Sequence, residues 1–266
     1  MYTRIVVALD GSEFAEEVIP RAARIAEQIA AALSFVRIAE RTGDMVAAEE
    51  YVHELARRHG AEGRAVVARG SVSNAIMGEV DRVPGSLAAI TARGRGGIGT
   101  AMLGSVAREY VQASHDPVLV YRPKGRVPAD LGPVTTVLLP VDGTPRSESM
   151  SGEAAEWARA LGATLQVVQV LDLRHLDTSG IDVTEDSYVR SRAKAIAERY
   201  GVEVEWEVLH GDPVDALVNH LKGRSDVLVV MATRSQPVLR AAVLGSVTSG
   251  LMHGANVAAI VQAATA

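Results

Sequence analysis

The chain repeats itself, and that constrains its fold more than any other feature. Val7-Ala8-Leu9-Asp10-Gly11-Ser12 returns 132 residues later as Leu139-Pro140-Val141-Asp142-Gly143-Thr144. Leu33-Ser34-Phe35-Val36-Arg37-Ile38 keeps that offset against Leu165-Gln166-Val167-Val168-Gln169-Val170. From Gly60 and Gly201 onward the offset is 141, through Gly70 and Gly211 to Leu103-Gly104-Ser105-Val106 against Leu244-Gly245-Ser246-Val247. The second copy therefore carries nine extra residues near 173–181. Shared register at four separate places marks a tandem duplication, so one architecture must serve twice. The 266 residues divide into halves long enough for a core each. The expected domains are 1–124 and 134–266, joined by a linker at 125–133 where Gly125, Pro128, Gly132 and Pro133 interrupt any helical or strand period. A linker this short keeps the halves packed together.

Within the first half, β-branched apolar runs predict strands at 4–9, 33–39, 64–68, 87–91 and 117–121. Between them, helical spacing of Phe14, Val18, Arg21, Ile25 and Ile29 predicts one helix over 13–30. A second helix spans 44–59, with Gly60 as its stop. Short apolar strands alternating with helices predict an α/β fold: two tandem doubly wound domains, each with a five-stranded parallel sheet covered on both faces. Such sheets bind ligands beyond the carboxyl ends of their strands, where strand order reverses. The loops after the first and fourth strands are therefore the ones to inspect.

The first of these loops reads Asp10-Gly11-Ser12 and Asp142-Gly143-Thr144. Ser12 and Thr144 suit helix N-caps, and Pro145 suits the first helical position. The two aspartates either support those caps or accept a hydrogen bond from a ligand's amine or hydroxyl. The loop after the fourth strand holds Gly94, Gly96, Gly97 and Gly99, flanked by Arg93 and Arg95, before Gly104-Ser105 opens a helix to about Ser114. Glycines permit close backbone approach, and a helix N-terminus attracts phosphate. The plainer alternative is an ordinary flexible loop with an N-cap serine. Gly94 to Gly99 matches G-x-G-x-x-G, but a dinucleotide fingerprint belongs in the first strand–helix turn, and the second copy has Ser235, Pro237 and Leu239 in that stretch. Lys124, Lys194 and Lys222 all lie outside a Gly-Lys-Ser/Thr context, which excludes a Walker A loop.

Gly94, nine intervening residues and Gly104-Ser105, three residues after Thr91, resemble the G-x2-G-x9-G-[S/T] motif of nucleotide-binding universal stress proteins. The resemblance spans both halves, roughly 1–124 and 134–264, and includes the strand-one aspartate and the Pro117-Val118-Leu119-Val120 strand. It implies an adenine-nucleotide-binding protein of the tandem type, with an adenine nucleotide alpha hydrolase-like fold and a regulatory role in stress. The implied ligand is ATP, ADP or AMP, with Mg2+ accompanying the phosphates. Carried over by position, the first site uses Asp10 and the backbone near Ala8 for adenosine, with Ile38 and Ile90 flanking the base. Arg93, Gly94, Gly104, Ser105 and Val106 hold ribose and phosphates. The second site uses Pro140, Asp142, Val170, Met231, Arg234, Gly245, Ser246 and Val247. Thr91 departs from the motif's first glycine; in the second half Ala232 and Ser235 replace both early glycines and Pro237 stiffens the loop. The tighter site is therefore expected in the first half. The resemblance also implies self-association, as a homodimer or as a pseudo-dimer of the two halves, through edges such as 118–121 and 257–261.

Composition narrows the field further. The chain has no cysteine, which removes disulfides, thiol nucleophiles and thiolate metal sites and fits a cytoplasmic location. Its net charge of −5, without a basic block, argues against nucleic acid. The first residues lack a signal-peptide pattern, and no stretch approaches the roughly 18 apolar residues of a membrane span. The seven histidines fall outside both phosphate-loop segments, and none recurs between the copies. His53 and His59 suit a solvated helix face, while His210 and His220 lack zinc-site spacing. No catalytic residue and no metal ligand is assigned. The site permits slow ATP hydrolysis at most, because no base or nucleophile is positioned beside the phosphate loop. Two other readings stay open: a nucleotide-free relative acting through protein contacts, and an adenylyl-transferring enzyme, which needs a second pocket not evident here. Trp157 and Trp206 are expected to be packing residues.

Overall fold

The structure, a computed structural model, describes residues 1–92, 104–114, 116–122, 131–172, 186–233 and 245–264. The first half runs β1 (Arg4–Leu9), α1 (Glu13–Glu16), α2 (Ile19–Gln28), β2 (Ala32–Ala39), a 3-10 turn at Thr42–Asp44 and α3 (Met45–His59). It continues with β3 (Glu62–Val67), α4 (Val72–Asp81), β4 (Ser86–Thr91), α5 (Ser105–Ala113) and β5 (Val118–Tyr121). The second half repeats the order: β6 (Thr136–Val141), α6 (Pro145–Glu148), α7 (Ser151–Leu161), β7 (Thr164–Leu171), α8 (Ser187–Tyr200), β8 (Val204–His210), α9 (Pro213–His220), β9 (Val227–Thr233), α10 (Ser246–Gly254) and β10 (Ala258–Ala263). The extra residues at 173–181 and most of the expected linker lie outside the described residues.

The ten strands form one sheet in the order β3-β2-β1-β4-β5-β10-β9-β6-β7-β8. Each half is parallel and doubly wound, as its alternating pattern predicts. The central strands are largely apolar because helices cover both faces, and every residue of β1 is buried, whereas the outer strands β3 and β8 carry charged, partly exposed residues. One core joins Ile5, Val7 and Leu9 to α2, α3, α7 and α8. The opposite core joins Val6 and Ala8 to α4, α5, α9 and α10. Both cores run across the two halves.

The seam between halves is antiparallel: β5 pairs with β10 through Tyr121↔Ala258, Val120↔Ala259, Leu119↔Ile260 and Val118↔Val261. The two edges expected to serve self-association thus pair with each other inside one chain, because each unpaired apolar edge finds its nearest complement in the tethered half. The pseudo-dimer is intramolecular. Side chains reinforce it. Tyr2 stacks on Trp157 with ring centroids 5.7 Å apart, and Glu153 Oε1 accepts from Tyr2 OH at 3.1 Å and Trp157 Nε1 at 2.9 Å. Gln28 accepts from Val134 N at 2.7 Å and donates to Val134 O at 3.1 Å.

Two local expectations need correction. The helix expected over 13–30 is two helices, broken at Glu17–Val18, because Pro20 has no N–H and its ring opposes the carbonyl four residues back. The second half breaks at the matching place without a proline. There the Ser149 and Ser151 hydroxyls donate to Arg146 O and Glu148 O, each at 2.7 Å, competing with the backbone ladder. Trp157 is fully buried as expected, but Trp206 is 40% exposed, since β8 is the sheet's outer strand.

Candidate functional site

Both first strands end in the same turn. Gly11 and Gly143 take φ of 77° and 80°, which a residue with a Cβ rarely adopts. In the first half, Asp10 Oδ1 accepts from Ser12 N at 2.9 Å and from the Ser12 hydroxyl, whose oxygen accepts from Ala15 N. In the second, Asp142 Oδ1 accepts from Thr144 N at 3.0 Å and Thr144 Oγ1 at 2.6 Å, and Thr144 caps α6 by accepting from Ser147 N at 3.3 Å. The expected Ser12 and Thr144 caps are present, with each aspartate bracing its cap residue. Partial burial alone would push the Asp142 carboxyl up, yet hydrogen bonds from Ser147, Thr144 and the backbone hold it below the ordinary aspartate value. It stays a charged acceptor at the mouth of the crevice.

The helices after the fourth strands begin differently from the plainer expectation. Gly104 and Gly245, not the serines, occupy the N-cap positions of α5 and α10, and neither helix has a side-chain cap. A glycine cap offers no acceptor, so the first-turn N–H groups of each helix remain available to an anion. Gly104 N bonds Ala92 O at 2.9 Å, and Gly245 N bonds Thr233 Oγ1 at 3.1 Å, which ties each helix start to the end of its strand.

Three strand ends supply an apolar wall. Ala8, Ile38 and Ile90 are buried on one face at the carboxyl ends of β1, β2 and β4. In the second half, Val170 and Met231 belong to that same face, and Pro140 pairs in register with Val168 on β7. The β6–β9 ladder stops at Leu138↔Val229, whereas β1–β4 continues to Val7↔Ala89. Pro140 stands where the first half has Ala8 and has no N–H to donate. Beyond that point the strands part at the topological switch point, and a cavity of about 420 Å³ opens.

Pro140, Asp142, Val170, Met231, Gly245, Ser246 and Val247 all line this cavity. Of the expected second-site residues, Arg234 alone is not placed; it lies outside the described residues. In the first half Ala8, Asp10, Ile38, Ile90, Gly104, Ser105 and Val106 stand at the matching ends of β1, β2, β4 and α5. Arg93 and Gly94, with the remaining loop glycines, lie outside the described residues. Thr91, buried at the end of β4, donates its hydroxyl to Tyr121 O on the neighbouring β5 at 3.4 Å.

Sequence reasoning missed part of the lining. Thr144, Arg146 and Ser147 follow Asp142 within one turn, so a cap reading of Thr144 already places its neighbours at the crevice. Pro213 and Leu217 come from the start of α9, reached through the Gly211 turn that repeats Gly70. The loop after the third strand was the available signal. Asp212 caps α9 by accepting from Val214 N at 2.9 Å. Among the described residues no three His, Asp or Glu side chains gather as a metal site. His53 and His59 are exposed on α3, with His59 edge-on to Phe35.

The sequence model of the universal stress protein family matches residues 1–122 and again 133–261. The chain belongs to the universal stress protein family. Universal stress proteins of Mycobacterium tuberculosis and Mycobacterium bovis are each 31% identical to it over 175 residues, which cover 63% of this chain and 58% of theirs. The match thus spans little more than half the length of those relatives. A universal stress protein from Archaeoglobus fulgidus shares the fold over 99% of both chains, with a TM-score of 0.72 at 18% identity. A putative universal stress protein from Pseudomonas aeruginosa covers 98% of this chain and 93% of its own, with a TM-score of 0.65 at 17% identity. The two halves are universal stress protein domains in tandem, fused through β5 and β10. No helix among the described residues is long and apolar enough to cross a membrane.

Proposed function

We propose that this universal stress protein binds an adenine nucleotide in each half and serves a regulatory, stress-response role in the cytoplasm, with ATP, ADP or AMP as ligand. The observation that carries the reading is the second-half cavity. Its apolar lining, Val168, Val170, Leu217 and Met231, suits a base. The uncapped start of α10, Gly245 and Ser246, lines the same cavity and suits phosphate. At about 420 Å³ the space falls within the range of small-molecule sites, about 300–1,000 Å³. Asp142 provides a charged acceptor for a ribose hydroxyl or the base amine. Mg2+ would be held mainly by phosphate oxygens and water, as that ion often is.

The first half takes the nucleotide more tightly, since Gly94, Gly96, Gly97 and Gly99 allow a loop that Ala232, Ser235 and Pro237 restrict. Turnover is slow at best, because among the described residues the second-half cavity is lined by no histidine and by no carboxylate besides Asp142. A homodimer, if formed, uses a surface other than β5 and β10, which are already paired. The deciding experiment denatures the purified protein and counts the released nucleotide by chromatography and mass spectrometry. About one per chain supports unequal sites, and about two shows both at work. None, together with no heat on titrating ATP and Mg2+, would turn the assignment to a protein acting through protein contacts.

A further inference from the structure

The two halves differ at one position beside the phosphate end. Arg146 lines the second cavity from α6, a helix packed against both β6 and β9. It therefore sits at the β6/β9 crevice, lining the same cavity as Gly245 and Ser246 at the start of α10. Among the described residues no carboxylate lies within ion-pair distance of its guanidinium. Asp142, the other charged side chain in the wall, has Oδ1 engaged by Thr144. By the 132-residue offset that relates Thr144 to Ser12, the position of Arg146 holds Phe14 in the first half. An arginine with no carboxylate partner among the described residues, in one cavity with a helix start whose N–H groups lack a side-chain acceptor, makes a fork for a tetrahedral anion.

We propose that Arg146 is the specificity-determining residue of the second half, gripping the phosphates of a nucleoside polyphosphate so that this half selects charged nucleotides over the bare nucleoside. The proposal rests on the nucleotide reading above and deepens it. It also gives the second half a means of holding phosphate from the β6 side, where its loop sequence has lost the glycines of the first. Phe14 offers no such charge, so the two halves differ in how strongly affinity depends on phosphate number.

The full chain is photolabelled with 8-azido-ATP and, separately, 8-azidoadenosine, with the labelled peptides assigned to each half by mass spectrometry. Arg146→Ala raises the 8-azido-ATP concentration for half-maximal labelling of the second half about tenfold, the loss expected for one charge-assisted contact. It moves the 8-azidoadenosine value less than about twofold, by the same reasoning that no charge is lost there. Arg146→Lys lies between, keeping the charge without the planar fork. First-half labelling stays constant and reports that the variant is folded. Equal weakening toward both probes makes Arg146 a packing residue and overturns the proposal. So does an unchanged response to 8-azido-ATP, which leaves the nucleotide reading standing, or wild-type labelling confined to the first half, which leaves that reading standing for the first half alone. No competable labelling in either half overturns both.

Discussion

Single residues set the electrostatics of the interface between the domains. Glu153 lies against Tyr2 and Trp157, and burial raises its pKa despite hydrogen bonds from Tyr2 and Trp157 that pull the other way. An acid raised in the folded state makes the protein less stable as pH climbs past the unfolded value, ordinarily 4.5, because the unfolded chain releases its proton first. Glu153→Gln keeps an oxygen for both donors and removes the charge. Thermal melts are expected to show the variant more stable than wild type at neutral pH, with the difference shrinking as pH falls through the acidic range. A variant less stable at every pH would refute this account. None of this was legible in the sequence, where Glu153 is one acid on a surface-like helix pattern. Its burial comes from Tyr2, 151 residues away.

At the scale of elements, periodicity located the first-half strands to within one or two residues, most closely where side chains are buried on both faces, as in β1, and least closely in the outer strand β3. It did not see the break between α1 and α2, since the apolar spacing continues across it; Pro20 was the signal. Contact between α9 and α10 shows a constraint that pattern alone misses. A Cβ at Gly250 would stand 2.4 Å from Val214 Cγ1, and one at Gly254 2.4 Å from Val218 Cγ2. Valine on a helix has essentially one rotamer, so it cannot turn aside. Gly250→Ala is expected to lower stability by about 1–3 kcal/mol through overpacking, offset in part by about 1 kcal/mol of helix propensity. Denaturant titration of the double variant with Val214→Ala should recover most of the loss. Stability unchanged in the single variant would show that the helices separate easily. Because α9 brings Pro213 and Leu217 to the cavity, the same contact helps set the width of the candidate site.

For the whole molecule, the seam decides what each half can do alone. A chain ending at 124 leaves β5 without β10, exposing the apolar run Val118–Tyr121 as a sheet edge. Light scattering is expected to find that half self-associated, while the full chain does not use this edge. A monodisperse, monomeric half would show that β5 is protected by other means. The candidate sites lie at the carboxyl ends of their strands and, because the seam is antiparallel, at opposite edges of the sheet; the seam strands β5 and β10 neighbour β4 and β9, which each end at a site. The halves therefore share a sheet as well as a core.

From the sequence alone one can obtain the duplication, the α/β alternation, the strands, and the two loops that border the cavity, because repeats and apolar periods are local records of local geometry. Asp10 and Asp142 follow from the strand ends, and Gly104-Ser105 with its repeat Gly245-Ser246 from loop composition, whereas Ala8 and Pro140 come from the family resemblance. The tertiary structure decided that β5 meets β10 antiparallel, that Gly104 and Gly245 rather than the serines cap their helices, and that Arg146 faces the cavity. Each of these depends on how separate segments dock. Docking is governed by the sum of many weak contacts between distant residues, and no local spacing encodes that sum.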